Sequence, residues 1–203
     1  MKHRRCTCIG PIRMKKALEH ISFPALAERI SALYNDADDA LLLAMLGQEY
    51  VISRTGITLR GQKAPDTHEA VILDYVLSTG NAFVELPWRA LKELTHFSVT
   101  DFHKRVELPL APHITEFVSR ANTLLPLFDA FLSPSMIGSD LALTVRALPK
   151  ITLHVEMSQE NKEFPPEVWV LFSNNADQFL RGESLQLLAE LFKDRLLSLL
   201  RIY

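Results

Sequence analysis

The stretch LALTVRALPKITLHVEM, residues 141–157, decides the fold class of this chain. Apolar and polar residues alternate over Leu141–Ala147 and again over Ile151–Met157, and this period of two predicts two half-buried β-strands. Leu148-Pro149-Lys150 interrupts the alternation between them. We therefore expect an antiparallel hairpin.

The residues after this hairpin predict a third strand and a covering helix. The strand is expected at Val168–Phe172, behind Phe164-Pro165-Pro166. The helix is expected at Glu183–Ile202, because its leucines form one apolar stripe. Such a stripe has to be covered, and we expect the sheet to be its partner.

Residues 40–60 predict a separate three-stranded meander. Its strands are expected at Ala40–Leu46, Glu49–Ser53 and Ile57–Arg60. Gly47-Gln48 and Thr55-Gly56 supply turn residues between them.

Helices are predicted around both sheets. Apolar spacings of three to five over residues 14–34 predict one or two helices, and His68–Ser78 predicts another. Further helices are expected at Pro87–Leu94, Thr100–Val106 and Ile114–Leu132. The last should break near Leu125, because Pro126 cannot continue the helical hydrogen bonding.

Together these elements predict an α+β fold with a largely antiparallel sheet. The N-terminal meander covers 40–60, the C-terminal strands cover 140–172, and a long helix at 183–202 ends the chain. Residues 14–203 are predicted to form one domain. Residues 1–13 are expected to be a disordered basic arm, and Met14 is an alternative start.

Charge and composition disfavour several classes of function. Six of the 22 basic residues lie within residues 1–16, so the rest of the chain carries 16 basic against 24 acidic side chains. This acidic balance argues against a nucleic-acid partner. The apolar runs are too short for a membrane span, and no secretory segment is visible. We expect a cytoplasmic protein.

No motif assigns a catalytic chemistry or a cofactor. Glycine-rich phosphate loops and the usual hydrolase and zinc-protease motifs are absent. Cys6 and Cys8 are too few for a structural metal centre and are expected to be free thiols. Imidazoles at His96, His103 and His113, with Asp101, would form a metal site if their loop folds back, but solvated loop histidines explain them too, and no metal is predicted.

Two residues of the 151–157 strand deserve a functional interpretation. His154 and Glu156 share its polar face, where a carboxylate beside an imidazole can perform acid–base chemistry. The alternative is the solvent face of an antiparallel sheet, which we expect here. Arg146 can anchor an anionic ligand or pair with Glu156 across the hairpin. Asp177 follows a strand, where binding loops are common.

The last third of the chain resembles the bacterial family known as domain of unknown function 3786. The resemblance is carried by these segments: Ser139–Ala142, Arg146–Ile151, Glu163–Glu167, Val170–Phe172, Ala176–Leu180 and the leucine-rich final helix. It implies a protein of anaerobic bacteria. Some family members carry an added cysteine segment of iron–sulfur type, of which Cys6 and Cys8 are at most a remnant. Ser173 stands where the family often has an aspartate.

The family resemblance does not assign an activity to this chain, so three hypotheses about its function stay open. The first is a ligand- or cofactor-binding accessory protein of anaerobic metabolism. Its predicted ligand-binding residues are Asp140, Arg146, His154, Glu163 and Asp177. The second is an enzyme that uses His154 and Glu156 as acid and base. The third is a protein-interaction module without a small-molecule site.

Overall fold

The computed structural model describes residues 18–19, 21–95 and 101–202, which form an α+β fold with two antiparallel sheets. The N-terminal sheet is a meander in sequence order. Its strands are β1 (Leu33–Asn35), β2 (Ala40–Met45), β3 (Gln48–Ser53), β4 (Gly56–Leu59) and β5 (Gln62–Lys63). The three strands predicted within 40–60 are confirmed, and β1 and β5 extend the sheet at its two edges.

The turn between β2 and β3 joins the N-terminal sheet to the second half of the chain. Leu46 and Gly47 both have positive φ angles, 52° and 70°, as a two-residue type I′ hairpin turn requires. A Cβ atom on Gly47 would lie 2.5 Å from the carbonyl oxygen of Leu127 and from Cα of Phe128. Glycine therefore allows this turn to lie directly against another backbone.

Helices α1 (Phe23–Ile30) and α2 (Asp66–Val76) accompany the N-terminal sheet. One or two helices are predicted over residues 14–34, and α1 ends at Ile30 because the chain turns left-handed at Ser31 and enters β1. Tyr75 of α2 is fully buried. Its hydroxyl donates to the Ile30 carbonyl (2.9 Å) and accepts from the Lys150 N–H (3.2 Å), so it links α1 to the C-terminal hairpin.

The middle of the chain departs most from the prediction. The helix predicted at Pro87–Leu94 is only α3 (Leu91–Leu94), and that at Thr100–Val106 is a π-helical turn, His103–Glu107. Helix α4 (Ile114–Leu124) gives way to a 3₁₀ turn at Leu125–Phe128, so the predicted break is confirmed. The chain then forms a strand, β6 (Ala130–Leu132), where helix was expected.

The C-terminal sheet has the order β6-β7-β8-β9. The predicted hairpin is confirmed as β7 (Leu141–Leu148) and β8 (Ile151–Ser158), and β9 (Glu167–Phe172) is the predicted third strand. The β7–β8 register shifts at Ala147, a β-bulge. The carbonyl of Ala147 accepts the Leu46 N–H at 3.0 Å, which connects the two sheets.

The long terminal helix α5 (Gly182–Ile202) is confirmed. Its buried leucines and Phe192 belong to one core cluster that includes Leu153 and Val155 of β8. Helix α5 contacts α2, α3 and α4, and it shares the core cluster with strand β8.

Candidate binding face

The polar side chains of β8 lie on the face of the C-terminal sheet opposite the core, which we call the second face. Strand register places Thr144 beside His154, with Phe131 on the far side of Thr144, and Ala142 and Trp169 beside Glu156. His154 and Glu156 are each only 1% exposed. The prediction of a solvent-exposed strand face is therefore wrong, because other parts of the chain cover it.

Both oxygens of Glu156 accept hydrogen bonds. Oε1 accepts from His154 Nε2 at 3.0 Å and from the backbone N–H of Met136 at 2.6 Å. Oε2 accepts from the hydroxyl of Ser135 at 2.6 Å and from that of Ser139. An ionised carboxylate can only accept, and four donors suit it. The buried ion is therefore compensated within the protein.

These hydrogen bonds make Glu156 unusually acidic. Burial by itself raises the pKa of Glu156, because it penalises the charged form. Hydrogen bonds from Ser135, Ser139, Met136 and His154 outweigh burial and lower the pKa to about 2. A carboxyl group that stays ionised at neutral pH cannot act there as a general acid.

One cover of the buried pair is residues 133–139, which we call the serine loop. Ser135 Oγ accepts three backbone N–H groups of this loop, from Ile137 (3.2 Å), Gly138 (2.8 Å) and Ser139 (2.8 Å). Ser133 Oγ lies 3.4 Å from His154 Nδ1. Hydrogen bonds to Ser135 thus hold the serine loop in its own conformation, and hydrogen bonds to Glu156 attach it to β8.

The other cover is residues 81–90, which we call the tryptophan segment. The Trp88 ring stacks on the His154 ring, with 5.0 Å between centroids and 16° between planes. Arg89 exchanges two 2.8 Å backbone hydrogen bonds with Phe172 at the edge of β9. The Asn175 amide holds the start of the segment by donating to the Ala82 carbonyl at 2.6 Å. These contacts close the second face from the β9 side.

The two covers expose a set of large apolar side chains, which we call the apolar rim. Its members are between 41% and 60% exposed: Phe83, Val84, Leu86, Met136 and Ile137. Met136 donates to Glu156 while Trp88 stacks on His154, so each of the two segments that carry the rim contacts the buried pair. Trp169 lies half-buried on the same face, so both tryptophans of the chain belong to this region.

The structure does not bring the five predicted ligand-binding residues together. Asp140 is exposed and accepts the Gln159 N–H at 2.7 Å, which closes the far end of the hairpin. Arg146 lies 3.6 Å from Asp129, and its strand partner is Thr152. The alternative pairing of Arg146 with Glu156 is therefore wrong.

Glu163 and Asp177 lie apart from the buried pair. Glu163 is exposed in a turn, where its N–H donates to the side chain of Asn161 at 2.9 Å. Asp177 lines an open groove of about 380 Å³ between the end of α2 and residues 177–181. In that groove Arg181 forms an ion pair with Asp74 at 2.6 Å. Of the five predicted residues, only His154 belongs to the second face as a buried partner.

Metal binding finds no support within the described residues, where His, Cys, Asp and Glu form no group of three able to hold a metal ion. His103 instead contacts Glu107 at 2.9 Å. Cys6, Cys8 and His96, and with them the predicted basic arm at 1–13, lie outside the described residues. None of the helices that the structure describes is long and apolar enough to cross a bilayer.

Sequence reasoning missed the residues that seal the pair. Ser133, Ser135 and Ser139 lie about twenty residues before the side chains they contact, and Trp88 lies further away still. The available signal was local: three serines with Pro134 and Gly138 predict a tight polar loop. Nothing in that pattern indicates which strand the loop covers.

Comparison with known families agrees with the resemblance seen in the sequence. The family described as a domain of unknown function (DUF3786) matches residues 22–195, which is most of the chain. The chain therefore belongs to this family. No curated protein and no solved structure matches it.

Proposed function

We propose that this chain is a non-catalytic binding protein that docks a partner protein on the apolar rim. The observation that carries the proposal is the rim itself: five large apolar side chains exposed on two segments that contact the buried His154–Glu156 pair. Large apolar side chains that are exposed on segments held in place by buried polar contacts are typical of protein interfaces.

The buried pair supports binding rather than acid–base catalysis. An acid–base residue must reach a proton of its substrate within hydrogen-bond distance. His154 and Glu156 are sealed, and both Glu156 oxygens already hold their donors. The pair is better suited to fixing the serine loop, and through it Met136 and Ile137, in one position.

The charge of the chain favours a protein over a phosphate-rich partner. Beyond residue 16 there are 16 basic and 24 acidic side chains, and the rim itself is uncharged. Nucleic acids and anionic membrane surfaces attract clusters of Lys and Arg. An apolar surface on an acidic protein is complemented by an apolar patch with basic neighbours on a partner.

The test uses one rim variant and one matched control. Ile137→Glu places a charge in the rim, and Leu33→Glu makes the same kind of change at an exposed residue of β1. A partner captured from cells of the natural host is identified by mass spectrometry and purified, and its Kd is measured. We expect Ile137→Glu to raise Kd at least about tenfold and Leu33→Glu to leave it within about twofold. Equal binding by both variants would contradict the proposal.

A second candidate function is small-molecule binding in the groove that contains Asp177. The groove volume of about 380 Å³ lies within the usual range of ligand sites. A thermal-shift screen with cofactors, tetrapyrroles and corrinoids included, tests it on the wild type, Asp177→Asn and Asp140→Asn. A ligand that raises the Tm of the wild type and Asp140→Asn but not of Asp177→Asn would support this site. No shift at concentrations far above micromolar argues against it.

The cellular location and the host of the protein are part of the same proposal. An accessory role in the cytoplasm of anaerobic bacteria is proposed on the family resemblance. The acidic balance supports the absence of a nucleic-acid partner.

A further inference from the structure

Strand β6 presents an open edge of the C-terminal sheet. Asp129 O accepts from Arg146 N (2.9 Å) and Ser133 N donates to Ala142 O (3.0 Å), so residues 129, 131 and 133 point their backbone groups toward β7. In an antiparallel ladder the intervening residues point the other way. The N–H and C=O groups of Ala130 and Leu132 therefore face outward, and no partner for them is found among the described residues.

The opposite edge of the same sheet is capped. The outward N–H of Val170 donates to Glu107 Oε1 at 3.0 Å, and Phe172 exchanges both its backbone hydrogen bonds with Arg89. Natural proteins usually protect an edge with charge, proline or a covering segment. The edge at β9 has two such caps, whereas Ala130, Phe131 and Leu132 carry none from the part of the chain that the structure describes.

We propose that two copies of this chain pair through β6 in antiparallel register, with Phe131 opposite the partner's Phe131. In that register Ala130 lies opposite the partner's Leu132, and Leu132 opposite the partner's Ala130. Each of these pairs exchanges two N–H···O bonds, so all four outward groups of each copy find a partner. A second copy of the chain is the partner that fits this edge, because in antiparallel register the donors and acceptors of one β6 strand face the acceptors and donors of the other.

The side chains at this edge suit the same arrangement. Phe131 and Leu132 are 49% and 54% exposed although they are large and apolar. Across the two-fold axis the phenyl rings meet on the second face, while each Leu132 covers the partner's Ala130. Since the β9 edge is capped, the assembly closes as a dimer with one eight-stranded sheet and does not grow into a filament.

The first experiment compares two Phe→Glu variants of the full chain by sedimentation equilibrium from about 1 to 100 µM. The wild type and Phe164→Glu are expected to be dimers of twice 23.0 kDa, since Phe164 is an exposed residue of the connection between β8 and β9. Phe131→Glu places two like charges on the axis. We expect it to raise the dimer dissociation constant at least about tenfold.

The second experiment tests the register and does not depend on the stability of Phe131→Glu. Cys6 and Cys8 are changed to serine, and Phe131→Cys or Leu132→Cys is added before oxidation in air. Phe131→Cys should form a disulfide-linked dimer, because non-hydrogen-bonded opposite residues bring their Cβ atoms close. Leu132→Cys should not, because it faces the partner's Ala130.

Three results would overturn the inference. One is a monomeric wild type throughout the concentration range. Another is a dimer that Phe131→Glu leaves as tight as Phe164→Glu does. The third is a disulfide that forms at Leu132→Cys in preference to Phe131→Cys.

Discussion

Strand β8 of the C-terminal sheet is buried on both of its faces, but by different means. The core face carries Leu153 and Val155 against the rest of the apolar core. The second face carries His154 and Glu156, which are sealed by the serine loop and the tryptophan segment. One face is covered by nondirectional apolar packing, and the other by directed hydrogen bonds that fix two loops and the apolar rim on them.

This difference teaches what each face can do. Apolar packing tolerates many arrangements of similar volume. A buried carboxylate with four donors accepts only the loop conformation that supplies them, because an unpaired buried charge is costly. The core face therefore supplies stability, whereas the second face adds a defined loop geometry.

The largest effect is expected on the core face. Leu153→Ala removes a fully buried side chain and leaves a cavity, which should lower the free energy of unfolding by about 3–4 kcal/mol. Urea denaturation measures it. A loss below about 1 kcal/mol would show that the core face is not packed as described.

A comparable loss of stability is expected when a single atom of Glu156, on the second face, is changed. Glu156→Gln keeps the shape but turns one accepting oxygen into a donor, so it should lower the free energy of unfolding by about 3 kcal/mol. The control is Glu160→Gln, at an exposed residue close in sequence, which should change it by less than about 0.5 kcal/mol. Equal losses for the two variants would contradict the anchoring role.

The same group predicts the acid dependence of stability. The pKa of Glu156 is about 2 in the folded protein and returns to about 4.5 when the chain unfolds. Its contribution, about 3 kcal/mol, is therefore present in full above pH 4.5 and is lost as the pH falls toward 2. Denaturation measured across this range should give a shallower pH dependence for Glu156→Gln than for Glu160→Gln.

Removing the Trp88 ring should lower the free energy of unfolding by less than Glu156→Gln does. Trp88 is partly exposed, so Trp88→Ala should destabilise the protein by about 1–2 kcal/mol through the lost stack on His154. Trp88→Phe keeps an aromatic ring there and should lose less. Thermal unfolding of both variants measures the difference, and equal losses would mean that the ring stack contributes nothing.

The smallest effect is expected at Arg146. Its 3.6 Å contact with Asp129 is exposed to solvent, and pairs of this kind contribute little. Arg146→Ala should change the free energy of unfolding by less than about 0.5 kcal/mol in chemical denaturation. A loss as large as that of Glu156→Gln would show that the stability of the C-terminal sheet depends on the Arg146–Asp129 pair.

Much of the fold could be predicted from the sequence because alternation and helical stripes are local signals. Those signals gave the hairpin of β7 and β8, the meander and α5. Strand β6 was missed because the apolar run that ends at Leu132 fits a helix as well as a strand. The burial of His154 and Glu156 was missed because the segments that cover them are distant in sequence. A period of two indicates that the two faces of a strand differ in polarity, but it does not indicate that both are buried.

The candidate site could be predicted only in part. Spacing alone put His154 and Glu156 on one strand face, and the structure has them in contact at 3.0 Å. Arg146 had a similar local argument and Asp140 came from the family resemblance, but both residues lie at the ends of the hairpin. Which polar residues converge depends on tertiary packing, which no local pattern specifies.

The most direct test of this account is the titration of the Glu156 carboxyl group itself. Side-chain carboxyl ¹³C shifts of labelled protein, assigned with Glu156→Gln, can be followed by NMR as the pH is lowered. A sealed anchor with four donors predicts a midpoint near 2. A midpoint at or above about 4, the usual range of a solvated glutamate, would contradict the claim that the second face is a buried, ionised anchor.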